Sequence, residues 1–234
     1  MLAGHYATAL VADQHTSKKT LFFLLVASML PDLLWHVFTL IGFEETTPTN
    51  ILEMTLKNLS PDMRYDHDLI PTFGWMILLF GIGRLGFKSH KVGLIAAFLF
   101  LLHNLADYGG GYPHHVFGPD TPSVGYAAYK TVPLLAVAYE AVFTTILLFI
   151  FFRTERRRGI LRKPGNMAAI IGLFVFNIVF MLSAATMSWG ERLGLPEINS
   201  VFLATIPNLM VVYWGMLFFL FYFVRKTTPA SSVA

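Results

Sequence analysis

Six stretches of this chain are apolar over membrane-scale lengths, and two of them carry, within the run or at its edge, an aspartate and a histidine four residues apart. The runs are Thr20–Ile41, Leu69–Gly83, Val92–Ala106, Val132–Phe152, Met167–Trp189 and Phe202–Val224. About 20 apolar residues span a bilayer core, and backbone in lipid must satisfy its hydrogen bonds internally, so these runs read as helices. The second and third are short for a full span. Lengthening them into their flanks buries Asp68 or Asp107 near an interface, a cost that binding a ligand would offset. Only 13% of the residues are charged, against roughly 25% in soluble domains. The expected fold is therefore all-α: a polytopic transmembrane bundle of six long spans plus a short N-terminal helix. One domain should cover residues 1–226, with residues 227–234 a disordered tail.

The N-terminal run Leu2–Ala12 is about half a span long. It reads either as a short helix entering the bundle with His5 at its outer end, or as an amphipathic helix on the membrane surface. No basic segment precedes it, so no cleavable signal peptide is expected. Cysteine is absent, which excludes disulfides, thiolate metal sites and Cys nucleophiles.

Loop charge alternates. Lys18 and Lys19, Arg84 to Lys91, Arg153 to Lys163, and Arg225 with Lys226 are basic; the segment Phe43–Asp68 is acidic, the loop at His114 is nearly neutral, and the loop with Glu191, Arg192 and Glu197 is slightly acidic. The positive-inside rule assigns the basic loops and the C-terminus to the cytoplasm. The net charge of +3 is thus explained by topology, and no nucleic-acid partner is expected. Anionic lipid headgroups are the natural partners of the basic loops.

On this topology the chemistry-bearing residues gather on the outer side. Asp32 and His36 lie in the outer half of the first long span, and His103 and Asp107 near the outer end of the third. Residues four apart share a helix face, so each pair is half of a metal site. His67, flanked by Asp66 and Asp68, sits at the outer mouth of the second span; His114 and His115 follow in the next outer loop, and Glu140 lies in the outer part of the fourth span. Imidazole and carboxylate together suit zinc or a similar divalent cation, and such an ion with an open position is the usual hydrolytic arrangement. Plainer readings stand beside these. His36 can be hydrogen-bonded to a carbonyl without ligating, His114 and His115 can lie in a simple solvated loop, and Asp32 can cap groups freed by Pro31.

The order of these pieces resembles a known pattern. His5 is followed by Pro31-Asp32, then by Tyr65-Asp66-His67-Asp68-Leu69, then by His103 and Asp107 in a His-x-x-x-Asp element. The chain thereby resembles the LexA-binding, inner-membrane-associated, metal-dependent hydrolases, a group similar in motif order to zinc-dependent phospholipase C and related nucleases. The resemblance runs from residue 4 to residue 140. It implies a site of His5, Asp32, His67, His103 and Asp107 holding one or two ions, zinc first and manganese second, with Asp107 shared between two. It also implies a bacterial or archaeal cytoplasmic membrane. Two departures stand out. Aspartates replace the serines that often flank the central histidine, and Leu34 stands where a second acidic residue is common.

The expected activity is hydrolysis of an ester or phosphoester near the outer face, with a lipid or lipid-linked substrate. Asp66, Asp68 and Glu140 are candidate general bases, and His36, His114 and His115 additional candidate ligands. Two other readings remain open: a non-catalytic subunit of a larger membrane complex, and a proton or ion transporter using the intramembrane Asp and His as a relay. The absence of internal repeats speaks against the transporter.

Overall fold

The computed structural model describes residues 3–17, 19–196, 198 and 200–229. Lys18, Glu197 and the tail from position 230 onward, which the sequence reading used, lie outside the described residues. Among the described residues the chain forms helices α1 (Gly4–Asp13), α2 (Leu21–Leu40), α3 (Leu69–Gly86), α4 (His90–Gly110), α5 (Ala128–Thr131), α6 (Pro133–Arg157), α7 (Pro164–Ser183), α8 (Trp189–Leu193) and α9 (Thr205–Arg225). Six of them are long and apolar enough to cross a membrane. By the length and composition of these helices the chain is an integral membrane protein with an all-α bundle. Strand structure is confined to two-residue antiparallel ladders in the loops: Thr46–Thr47 with Ser60–Pro61, His114–His115 with Ser123–Val124, and Ile160–Leu161 with Thr228–Pro229.

α2 is the axis of the bundle. It packs on α1, α4 and α9, and α4 in turn packs on α3. α2 and α4 are largely buried, whereas α3, α6, α7 and α9 turn most of their surface outward. That outward surface carries residues such as Ile77, Phe149, Phe176 and Val211. A soluble monomer does not tolerate so continuous an apolar exterior; hydrocarbon does. α3 and α4 run close together because Gly83 and Gly93 face each other at their crossing. A Cβ on Gly83 would stand 2.5 Å from the Gly93 Cα. Small residues at such crossings let membrane helices pack backbone to backbone.

α1 lies inside the bundle. Its residues from Gly4 through Leu10 are all buried. The run of Gly, Ala and Thr makes this possible, since small side chains let it press against α2 and α6. Burial leaves the first amides of α1 without water. Glu140 of α6 answers them: its Oε1 accepts from the Ala3 and Gly4 N–H groups at 3.0 and 3.3 Å, and its Oε2 accepts from the Tyr129 hydroxyl at 3.0 Å. A carboxylate at a helix N-terminus also matches the helix dipole.

The helices alternate in direction, so the basic loops meet at one end, where Lys19, Arg158 and Arg225 border one cleft and Lys91 and Arg158 another. There Arg162 makes a buried bidentate pair with Glu155, at 2.6 and 2.7 Å, and its guanidinium also donates to the Phe223 and Val224 carbonyls. This ties the C-termini of α6 and α9. The opposite end holds the histidines and aspartates. Replacing Gly83 by Ala should force α3 and α4 apart and destabilise the bundle by about 1–3 kcal/mol. The same change at Gly81, which meets open space, should not. Thermal unfolding in detergent measures both.

Candidate metal centre

The site forms where α2, α4 and the residues just before α3 converge. Four side chains, Asp32, His67, His103 and Asp107, each present one donor atom, and these atoms lie within 4.8 Å of one another. All four residues are at most 5% exposed. His67 Nε2 is 3.3 Å from His103 Nε2 and 3.4 Å from Asp32 Oδ1. Asp107 Oδ2 is 3.5 Å from His103 Nε2 and 3.7 Å from His67 Nε2, and Asp32 Oδ2 is 3.7 Å from His103 Nε2. A tetrahedron of ligands about 2.0–2.1 Å from zinc has edges of about 3.3–3.4 Å. The His67–His103, His67–Asp32 and His103–Asp107 distances are close to that edge.

Each imidazole is turned so that a lone pair faces the others. His103 Nδ1 lies 2.7 Å from the Ser28 carbonyl, which can only accept, so Nδ1 carries the proton and Nε2 is free to ligate. Pro31 has no N–H and interrupts the helical ladder of α2 at this turn. The carbonyl three residues before it holds His103. His67 Nδ1 lies 2.5 Å from Asp66 Oδ1, and the Tyr108 hydroxyl donates to the His67 carbonyl at 2.8 Å. A carboxylate behind a ligating histidine fixes its tautomer and strengthens it as a ligand. Behind Asp66 stands Glu44, whose Oε1 accepts from the Tyr65 N–H at 2.9 Å. Burial, and then the charge of Asp66 beside it, push the Glu44 carboxyl up to about 9. Burial raises the Asp66 carboxyl as well, and the neighbouring His67 draws it partly back down.

Two carboxylates, those of Asp32 and Asp107, are buried together among these donors. Isolated in an apolar bundle their charge costs several kcal/mol per ion, and a divalent cation offsets it. Donor type, spacing, tautomers and charge all fit such an ion.

The remaining candidates fall around this group. His5, at the start of α1, puts Nε2 3.2 Å from Asp107 Oδ1, the oxygen turned away from His67, and its ring stacks on His103 at 3.5 Å. His114 is buried with its ring parallel to that of His67, centroids 5.3 Å apart. Both its nitrogens lack a hydrogen-bond partner among the described residues. Burial, and then the neighbouring His67, pull its pKa down to about 3, so it stays neutral. His36 is likewise buried, with neither nitrogen hydrogen-bonded among the described residues, and lies edge-on to Tyr213. His115 is half-buried on the loop after α4. Asp68 does not face the four donors: its two oxygens accept from the His115 and Gly118 amides at 2.8 and 2.5 Å and fasten the loop after α4 to the start of α3. Asp66 and Glu140 are engaged by His67 and by α1, as described.

A narrow cavity of about 60 Å³ abuts the centre. Asp32 and Asp107 form its polar end; Trp35, Leu59, Phe180 and Leu209 are among its apolar walls, and Tyr112 and Tyr213 border it. The contributions from α7 and α9 have no counterpart in the sequence reading, since those spans carry no ionisable motif. Glu44 was equally hidden, one acidic residue in an acidic loop. No protein-family model, no curated protein sequence and no solved structure matches this chain.

If Asp66 orients His67, then Asp66→Asn should weaken zinc binding by about 10- to 100-fold while leaving the bundle folded. Competition with a chromophoric chelator measures the affinity.

Proposed function

We propose that this protein is a membrane-bound, metal-dependent hydrolase of an ester or phosphoester bond in a lipid or lipid-linked substrate. The observation that carries this reading is the set of four buried donors whose atoms lie within 4.8 Å of one another, with one side, that of Asp32 and Asp107, lining a cavity. A purely structural ion site is closed on all sides, whereas a catalytic one keeps an open approach. Zinc fits the nitrogen and oxygen donors best, and manganese is the second choice. A divalent ion held there supplies Lewis acidity, polarising an ester oxygen and acidifying a water molecule.

The chain's own residues do the rest. Asp32, His67, His103 and Asp107 would hold the ion, and Asp66 and the Ser28 carbonyl keep the imidazoles aimed. His5, on the second oxygen of Asp107, marks the place for a second ion sharing that carboxylate, as the family resemblance implies. Trp35, Leu59, Phe180 and Leu209 exclude bulk water and favour an apolar group. Depth supports a lipid substrate. Asp32 lies eight residues before the end of α2, hence about 12 Å inside it. The positive-inside rule puts the basic end and the C-terminus in the cytoplasm of a bacterial or archaeal cell, and the centre towards the outer face.

Elemental analysis of detergent-purified protein tests the metal, and ester and phosphodiester panels test the activity. The expected result is stoichiometric zinc and measurable turnover, both lost in the His103→Ala/Asp107→Ala double variant. Wild-type protein that takes up no ion after incubation with zinc would overturn the reading and favour an accessory subunit of a membrane complex.

A further inference from the structure

Tyr112, which lines the cavity beside the metal centre, carries a buried hydroxyl with no hydrogen-bond partner among the described residues. Tyr112 lies two residues beyond the end of α4. Gly111 turns the chain there and donates to the Asp107 carbonyl at 2.7 Å. A Cβ on Gly111 would come within 2.8 Å of that carbonyl and 3.0 Å of the Asp107 Cβ, so the turn needs glycine. The tight turn brings the Tyr112 ring onto the same cavity as the Asp107 carboxylate. Its ring packs on Tyr129, centroids 5.1 Å apart. The two phenols differ in what they bond. Tyr129 donates to Glu140, whereas the Tyr112 hydroxyl is buried with no hydrogen-bond partner among the described residues. A buried hydroxyl left unpaired costs about 1–3 kcal/mol, so such a group points to a ligand that satisfies it.

Most of the cavity wall is apolar: Trp35 and Leu59 come from α2 and the loop after it, Phe180 from α7 and Leu209 from α9. Asp32 and Asp107 form its polar end, and Tyr112 borders the same cavity. An occupant complementary to such a cavity has a hydrocarbon chain and, at the end of that chain, a polar group carrying a hydrogen-bond acceptor.

We propose that the cavity binds the apolar chain of a single-chain amphiphile, and that the Tyr112 hydroxyl donates a hydrogen bond to an oxygen of the reacting group at the end of that chain. The proposal rests on the hydrolase reading and deepens it by naming the substrate's shape and a further catalytic residue. A phenol is protonated at neutral pH and can donate without losing its proton. Its bond would strengthen as charge develops on the ester oxygen, the usual way such donors stabilise a transition state.

The test uses zinc-loaded full-length protein in nanodiscs and a series of n-alkylphosphonates from methyl to octyl, titrated calorimetrically against empty nanodiscs. A phosphonate mimics both a phosphoester and the tetrahedral intermediate of acyl transfer. Affinity should rise about fourfold per added methylene, then level off when the cavity is full. Tyr112→Phe should keep its zinc and the same chain-length increment but bind every member about tenfold or more weakly, the loss expected for a hydrogen bond to a charged group. Affinity independent of chain length, or no binding by the wild type, would overturn the occupant. Equal affinity in Tyr112→Phe would overturn the role of the hydroxyl. Protein that binds the series as expected but hydrolyses no ester would sink the hydrolase reading alone and leave the binding site standing.

Discussion

Asp32 and Asp107 are two carboxylates buried together inside a bundle whose exterior is hydrocarbon-like. Charge in such a place is the most expensive feature of the chain, and much of the surrounding structure answers it. His67 and His103 face the two carboxylates, His5 takes the outer oxygen of Asp107, and each of these groups is held from behind by another. The result is a closed network with one opening, onto the apolar cavity.

The supports behind the network also organise the fold. Pro31 interrupts the ladder of α2, and the nearby Ser28 carbonyl links α2 to α4 through His103. The Tyr108 hydroxyl and Asp66 pin the segment before α3, so His67 is fixed although it lies outside any helix. Glu140 caps α1 deep in the bundle and thereby holds His5 against Asp107. Asp68 ties the loop after α4 to the start of α3. Several interactions that hold the tertiary structure together are thus the ones that aim the donor atoms. A weakened support should appear first as a looser metal site and only later as an unfolded protein.

The legible part of this arrangement was periodic or ordered along the chain. The six spans follow from apolar length, and the Asp32/His36 and His103/Asp107 pairs follow from the helical period. That period also misled in one respect. It pairs Asp32 with His36, yet His36 turns to Tyr213 while the partners of Asp32 come from α4 and from the loop before α3. The flanking aspartates of His67 looked equivalent in sequence. In the structure Asp66 orients the imidazole and Asp68 fastens a loop, because neighbouring residues outside a helix point in different directions. Glu44, Tyr112 and the apolar walls from α7 and α9 carry no local pattern, so nothing in the sequence singled them out.

By itself the sequence determined the medium, the helical class and the presence of histidines and aspartates inside the bundle that could hold a metal ion. Apolar length and the cost of ionisable groups in lipid are local properties that no tertiary arrangement can change. Only the tertiary structure decided which half-sites meet, which nitrogen of each imidazole is free, which carboxylates face the centre and which brace it. Those outcomes depend on contacts between residues as far apart as His5 and Asp107, and helix packing, not spacing along the chain, sets them.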